Sequence, residues 1–166
     1  MLKNYLWIFL ISMVPLIELR GAIPVSQALS LPLVPSYIVC IIGNMLPVPV
    51  IYLFARRFLA WGANKAVIGA LCRFFLVKGT LAGEKMQQKA GRGLFVALFL
   101  FVGIPLPGTG AWTGTLAASL LGMDGKKTVI AVLAGVLLAG VLMMTIALLV
   151  KTGVLGVASA VNATAQ

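Results

Sequence analysis

Three stretches of this chain contain no Asp, Glu, Lys or Arg: residues 21–55, 93–123 and 128–150, which are 35, 31 and 23 residues long. An uncharged apolar run of this kind reads as membrane-embedded, because roughly 20 helical residues cross a hydrocarbon core. The first two runs are each too long for one span and too short for two spans and a turn. Part of each must therefore enter the membrane and return to the side it came from. Composition agrees: 61% of the 166 residues are hydrophobic and 10% are charged, too little polar surface to coat a soluble domain.

The runs and the bases set a topology. Leu33 to Ala55 reads as a full span ending at Arg56 and Arg57, and Thr128 to Val150 as a second span starting after Lys126 and Lys127. Ten of the thirteen bases lie in 56–92 and at 126–127, which the positive-inside rule places in the cytoplasm. Lys3 and Lys151 then lie outside, with Arg20 at depth. Tyr5 to Leu31 begins and ends outside, and Gly93 to Leu121 begins and ends inside. The expected fold is an all-α polytopic membrane protein. Two opposed re-entrant helical hairpins, each followed by a transmembrane helix, make an inverted-topology repeat. Residues 1–166 form one membrane domain: hairpin and span in 1–55, a basic interfacial cytoplasmic segment in 56–92, and the second hairpin, span and tail in 93–166. If residues 1–19 cross the membrane instead, Lys3 becomes cytoplasmic and the first hairpin is lost.

The net charge of +10 is thus a topology signal, and no nucleic-acid partner is expected. Lys78, Lys85, Lys89 and Arg92 share one helical face, suited to anionic headgroups. With no histidine, imidazole catalysis and the usual zinc and haem ligand sets are out of reach. Cys40 and Cys72 form no close-spaced motif and read as reduced structural thiols. No phosphate-binding glycine loop followed by Lys-Ser/Thr is present. Neither an enzyme nor an ATP-driven machine is expected, and no cofactor or metal.

Chemistry concentrates where helices must break. Pro15 and Pro24 bracket Leu16 to Ile23, and the second half carries Ile104-Pro105-Leu106-Pro107-Gly108-Thr109-Gly110. Proline lacks an N–H and disfavours helix at the residue before it. The freed backbone groups survive at depth only where buried in protein or facing a wet cavity. Pro47-Val48-Pro49 predicts a kink in the first span that frees carbonyls near Asn44. Gly135 and Gly140, on an apolar helix, predict close helix packing.

Glu18 and Arg20 lie in the first of these breaks. Each costs about 2.5–3.5 kcal/mol at a helix centre on insertion scales, so each needs a partner or water. Residues two apart do not face each other on a regular helix. In a turn they could pair, or each could reach into the second hairpin; the pair could lock the fold or form a proton and substrate site. Glu18 is the candidate proton carrier. The candidate substrate site comprises Arg20, Gly21, Asn44, Pro105, Pro107, Gly108, Thr109, Gly110, Trp112 and Thr113. A half-helix starting at Trp112 would present an anion-favouring N-terminus to this break.

The strings Pro15-Leu-Ile-Glu18-Leu-Arg20-Gly21-Ala-Ile-Pro24 and Gly103-Ile-Pro105-Leu-Pro107-Gly108-Thr-Gly110-Ala-Trp112-Thr-Gly114 resemble the small multidrug export protein family of bacteria and archaea. That family is distantly related to the DedA-like (VTT-domain) membrane proteins, which have paired re-entrant hairpins and move lipid carriers. The resemblance covers nearly the whole chain and implies a multi-pass transporter of the bacterial or archaeal cell membrane. The second-hairpin arginine of the DedA-like proteins has no counterpart in residues 93–123. Together these readings predict a secondary-active, proton-coupled transporter of an amphipathic substrate. An anionic lipid or lipid-linked phosphate is slightly favoured because of Arg20. A lipophilic cationic drug is the alternative, and a non-transporting scaffold or a passive channel are others. Membrane lipids and protons are the expected partners, and four embedded segments are few enough for a pathway that a homo-oligomer is expected.

Overall fold

The computed structural model describes residues 2–15, 17–65, 69–70, 72–73, 77, 93–106 and 108–164; of these, 56, 59 and 154–164 are described by backbone alone. Pro107 and most of the interfacial basic segment, including Lys78, Lys85, Lys89 and Arg92, lie outside the described residues. All regular elements described are helices: α1 Leu2–Met13, α2 Glu18–Ala28, α3 Leu33–Met45, α4 Pro47–Gly62, α5 Gly93–Gly103, α6 Ala111–Leu120 and α7 Gly125–Thr164.

Length separates these helices into two kinds. At about 1.5 Å per residue, α1, α2, α5 and α6 are only about 15–18 Å long, roughly half a hydrocarbon core. By contrast, Leu33–Gly62 (α3 with α4) and Gly125–Gly153 are long and apolar enough to cross a membrane. Only 33% of the most apolar window in either is buried, so these are not the core helices of a soluble fold. Ile38, Ile42, Val50, Leu53 and Phe54 on one, and Ile130, Leu137 and Val141 on the other, stand exposed, as lipid-facing surfaces do.

The short helices come in two pairs, α1–α2 and α5–α6, each joined through a proline-containing break. The packing of the pairs is crossed. In each half the first arm lies on its own long helix, α1 on α3 and α5 on α7. The second arm lies against the long helices of both halves, α2 on α7 and α3, and α6 chiefly on α4 and also on α7. This exchange buries one core, with Ile8, Leu19, Ile23, Val48, Val102, Val132 and Val136 among its members. It also brings the two breaks together.

Several expectations are corrected in detail. Pro24 does not break helix; it lies inside α2, where its cost falls on one backbone bond, that to the Arg20 carbonyl. The first break is the shorter stretch between α1 and α2, of which Leu16 lies outside the described residues, with the Glu18 N–H on the Val14 carbonyl at 3.0 Å. The first long helix does not stop at Ala55 but runs through Arg56 and Arg57 to Gly62, and the second starts at Gly125 and runs well past Val150. Charged residues end a hydrophobic run without ending a helix, because their backbone is as helical as any other. The Pro47–Pro49 junction does divide α3 from α4 at Leu46, and leaves the Leu46 N–H bonded to Ile42 at 3.1 Å. Gly135 packs against Val102 and the Phe99 carbonyl of α5, and Gly140 against the Tyr37 ring of α3, as close helix approach requires.

Candidate functional site

The breaks meet at Glu18 and Arg20. Both side chains reach into the second break, and their hydrogen bonds run there, not to each other. The Glu18 carboxylate accepts the Ala111 N–H at 3.1 Å and the Trp112 N–H at 2.9 Å. These are two of the orphan donors at the N-terminus of α6. Gly110, the residue before that helix, supplies no side-chain cap, so the cap comes from Glu18, 93 positions before Ala111. Glu18 is also the first residue of α2. Its negative charge therefore stands at two helix N-termini, the placement that the helix dipole favours.

Arg20 does the converse at the end of α5. Its Nη2 donates to the carbonyls of Val102 at 3.0 Å and Ile104 at 3.1 Å. Its Nη1 donates to the Leu106 carbonyl and to Thr109 Oγ1 at 2.9 Å. Four bonds use all four Nη hydrogens. A cation here adds donors at the helix end and the Pro105 break, where the Ile104 and Leu106 carbonyls also accept the Leu106 N–H at 2.8 Å and the Thr109 N–H at 3.2 Å, and it complements the negative end of the α5 dipole. The Thr109 hydroxyl in turn lies 2.9 Å from the Leu106 carbonyl and 3.1 Å from that of Ile104. Two charges two residues apart thus clamp the two ends of one broken helix.

Gly110 shows why the backbone must pass so close. Its φ of 152° is one that side chains rarely adopt, and a Cβ there would lie on the Glu18 carboxylate. Only glycine lets the α6 N-terminus approach the acid.

Glu18, Arg20, Pro105, Leu106, Thr109 and Thr113, with Met143 of α7, line a cavity of about 200 Å³. Six sequence-derived candidates thus gather here: Glu18, Arg20, Pro105, Gly108, Thr109 and Thr113. Trp112, with Ala111, holds the carboxylate through its backbone N–H, and Gly110 packs against it. Gly21 packs against Ile17 instead. Asn44 is buried, with its Oδ1 unpartnered among the described residues, and is not among the cavity-lining residues. Met143 was missed, since an unbranched apolar residue in a 40-residue helix gives no sequence signal. Tyr52 was missed too: its hydroxyl donates to the Met123 carbonyl at 2.6 Å, and its own carbonyl accepts from Ser119 at 3.1 Å, tying α4 to α6. Among the described residues no group of three His, Cys, Asp or Glu gathers.

Half-length helices that meet at a pair of opposite charges, set among long apolar helices, define a membrane protein that is helical throughout the described residues and carries a buried polar site. A sequence model of the family described as "Putative small multi-drug export protein" matches residues 18–142. The chain belongs to that family. The match begins at Glu18, directly after the first break, and includes the second. No curated protein and no solved structure matched the chain.

Proposed function

We propose that this protein is a proton-coupled membrane transporter that exports lipophilic cations, with Glu18 taking either a proton or the cationic centre of the substrate. The observation that carries this reading is the unequal engagement of the two charges. Arg20 has spent its four Nη hydrogens on protein oxygens, so an anionic phosphate would have to break a satisfied cage. The α6 N-terminus, the other anion-favouring feature, is filled by Glu18 itself. Glu18 holds two N–H groups and lines a cavity, and a carboxylate retains lone pairs beyond two bonds. It is thus the better placed group to meet a ligand, and that ligand is cationic. The export function in the family description points the same way.

The architecture that accompanies this reading is the inverted-topology pair of re-entrant hairpins in a bacterial or archaeal cell membrane, assembled as a homo-oligomer. The half-length arms and the crossed packing support it. Alternating access then means movement of the α5–α6 break against α2. A protonated Glu18 loses its charge and with it part of its hold on α6, which makes that movement sensitive to the proton.

The test is flux of tetraphenylphosphonium into proteoliposomes with and without a pH gradient, for the wild type and Glu18→Gln. Gradient-driven flux lost in the variant is expected. Flux of a fluorescent anionic lipid phosphate in place of the cation would restore the substrate favoured from sequence. Absence of both, with an unchanged cellular phenotype in the variant, would favour the scaffold.

A further inference from the structure

A second cavity, about 350 Å³, adjoins the Glu18 cavity at Thr113, which lines both. It is walled by Pro15 of the first break, by Ile51, Phe54 and Phe58 of α4, and by Trp112 and Leu116 of α6. Phe54 and Phe58 are 66% and 45% exposed on the outer face of α4, so the cavity opens towards the hydrocarbon side.

These aromatic residues form a series. The Phe54 and Phe58 rings are stacked with centroids 6.0 Å apart, and Phe58 stands 6.1 Å from Trp61. At the far end of the series Lys65 Nζ sits 4.7 Å from the Trp61 ring centroid. A cation already rests on this stripe, which is the geometry of cation–π attraction. Trp112 lines the same cavity; its backbone N–H holds Glu18, and its indole N–H is buried with no acceptor among the described residues. An unsatisfied buried donor carries a cost, so the indole position is one that a ligand can shift with little loss.

We propose that this aromatic cavity binds the apolar body of an aromatic lipophilic cation arriving from the bilayer, and that Trp112 couples its occupancy to the release of Glu18. The proposal rests on the cation-exchange reading above and adds to it a recognition site, a substrate class and a coupling residue. The chemistry of the occupant follows from the walls. Apolar faces favour an aromatic body, and ring quadrupoles favour positive charge. A ligand seated against the indole displaces the α6 N-terminus, and the two N–H bonds to Glu18 loosen together.

The experiment is equilibrium binding of tetraphenylphosphonium to the purified full-length protein across an acidic-to-alkaline series, with tetraphenylborate as an anion of the same shape. Variants are Phe54→Leu with Phe58→Leu, Trp112→Leu, and Phe58→Tyr, the last keeping an aromatic ring should the others fail to fold. The double leucine variant is expected to weaken cation binding by roughly tenfold, as loss of two ring faces implies, while keeping the wild-type dependence on pH. Phe58→Tyr binds as the wild type does. Trp112→Leu flattens the pH dependence. Cation binding with wild-type affinity in the double leucine variant overturns the cavity while leaving the Glu18 reading intact, and unchanged pH dependence in Trp112→Leu overturns the coupling. Equal binding of tetraphenylborate overturns the substrate class. A change of oligomeric state in the leucine variant, with binding unaltered, assigns the stripe to a subunit interface and overturns the proposal. No binding to the wild type removes both this proposal and the exchange reading.

Discussion

Glu18 and Trp112 are 94 positions apart, and the carboxylate of one accepts the backbone N–H of the other at 2.9 Å. With the Ala111 N–H at 3.1 Å, this makes an acid of the first helix break the cap of a helix in the second. Arg20 completes the clamp at the end of α5.

The clamp predicts an order of stability among variants at Glu18. Glu18→Ala leaves two buried donors without acceptors, and Glu18→Gln keeps one carbonyl oxygen for one of them. With about 1–3 kcal/mol for each buried group left unpaired, alanine should cost roughly 3 kcal/mol and glutamine about half as much. Thermal unfolding of the purified variants in one detergent checks this. Equal midpoints for both variants and the wild type would mean that Glu18 does not cap α6.

Gly110 and Gly108 separate strain from collision. Both have positive φ, 152° and 80°, but a Cβ at Gly108 meets nothing within 4 Å while one at Gly110 meets the Glu18 carboxylate. Gly108→Ala should cost about 1 kcal/mol from backbone alone, and Gly110→Ala about 3 kcal/mol with loss of transport. Measured side by side by thermal unfolding and flux, similar losses in the two would contradict the close approach.

Much of this was legible in the sequence. The two breaks, the half-helix near Trp112 and the need of Glu18 and Arg20 for partners follow from proline spacing and from the cost of charge in hydrocarbon. Both alternatives for the two charges stayed open, because residues some 90 positions apart are joined by packing and not by local pattern. One signal could have pointed further: Gly110 precedes a helix that lacks Ser, Thr, Asp or Asn at its cap, so that helix had to borrow one. The Pro24 position misled because a proline inside a packed helix costs only what its neighbours fail to restore. Met143 and the cavity behind Phe54 and Phe58 depend on which faces of uniformly apolar helices meet, and a uniformly apolar sequence does not record that.

Arg20→Lys tests the cage around the guanidinium. An ammonium keeps the charge but has three donors and no planar fork to serve the Val102, Ile104 and Leu106 carbonyls and Thr109 Oγ1. A loss of about 2 kcal/mol in stability is expected. A lysine variant as stable as the wild type would show that charge alone, and not the fork, holds the break.

Topology can be read with cysteines placed at exposed positions in a variant without Cys40 and Cys72. Re-entry of α1 and α2 puts Lys3→Cys and Ser30→Cys on the outer face, together with Lys151→Cys, and Lys127→Cys on the inner face. An impermeant thiol reagent applied to intact cells should label the first three and not the fourth. Labelling of Ser30→Cys without Lys3→Cys would mean that the N-terminal helix crosses the membrane.

The central claim is that one carboxylate serves proton and substrate in turn. It is tested most directly by the apparent affinity for tetraphenylphosphonium as a function of pH in the wild type and in Glu18→Gln. A proton on Glu18 removes the charge that attracts the cation, so wild-type binding should weaken steadily towards acid pH, while the glutamine variant binds weakly and equally at every pH. Wild-type binding that ignores pH, or a variant that keeps the wild-type pH dependence, would contradict the account.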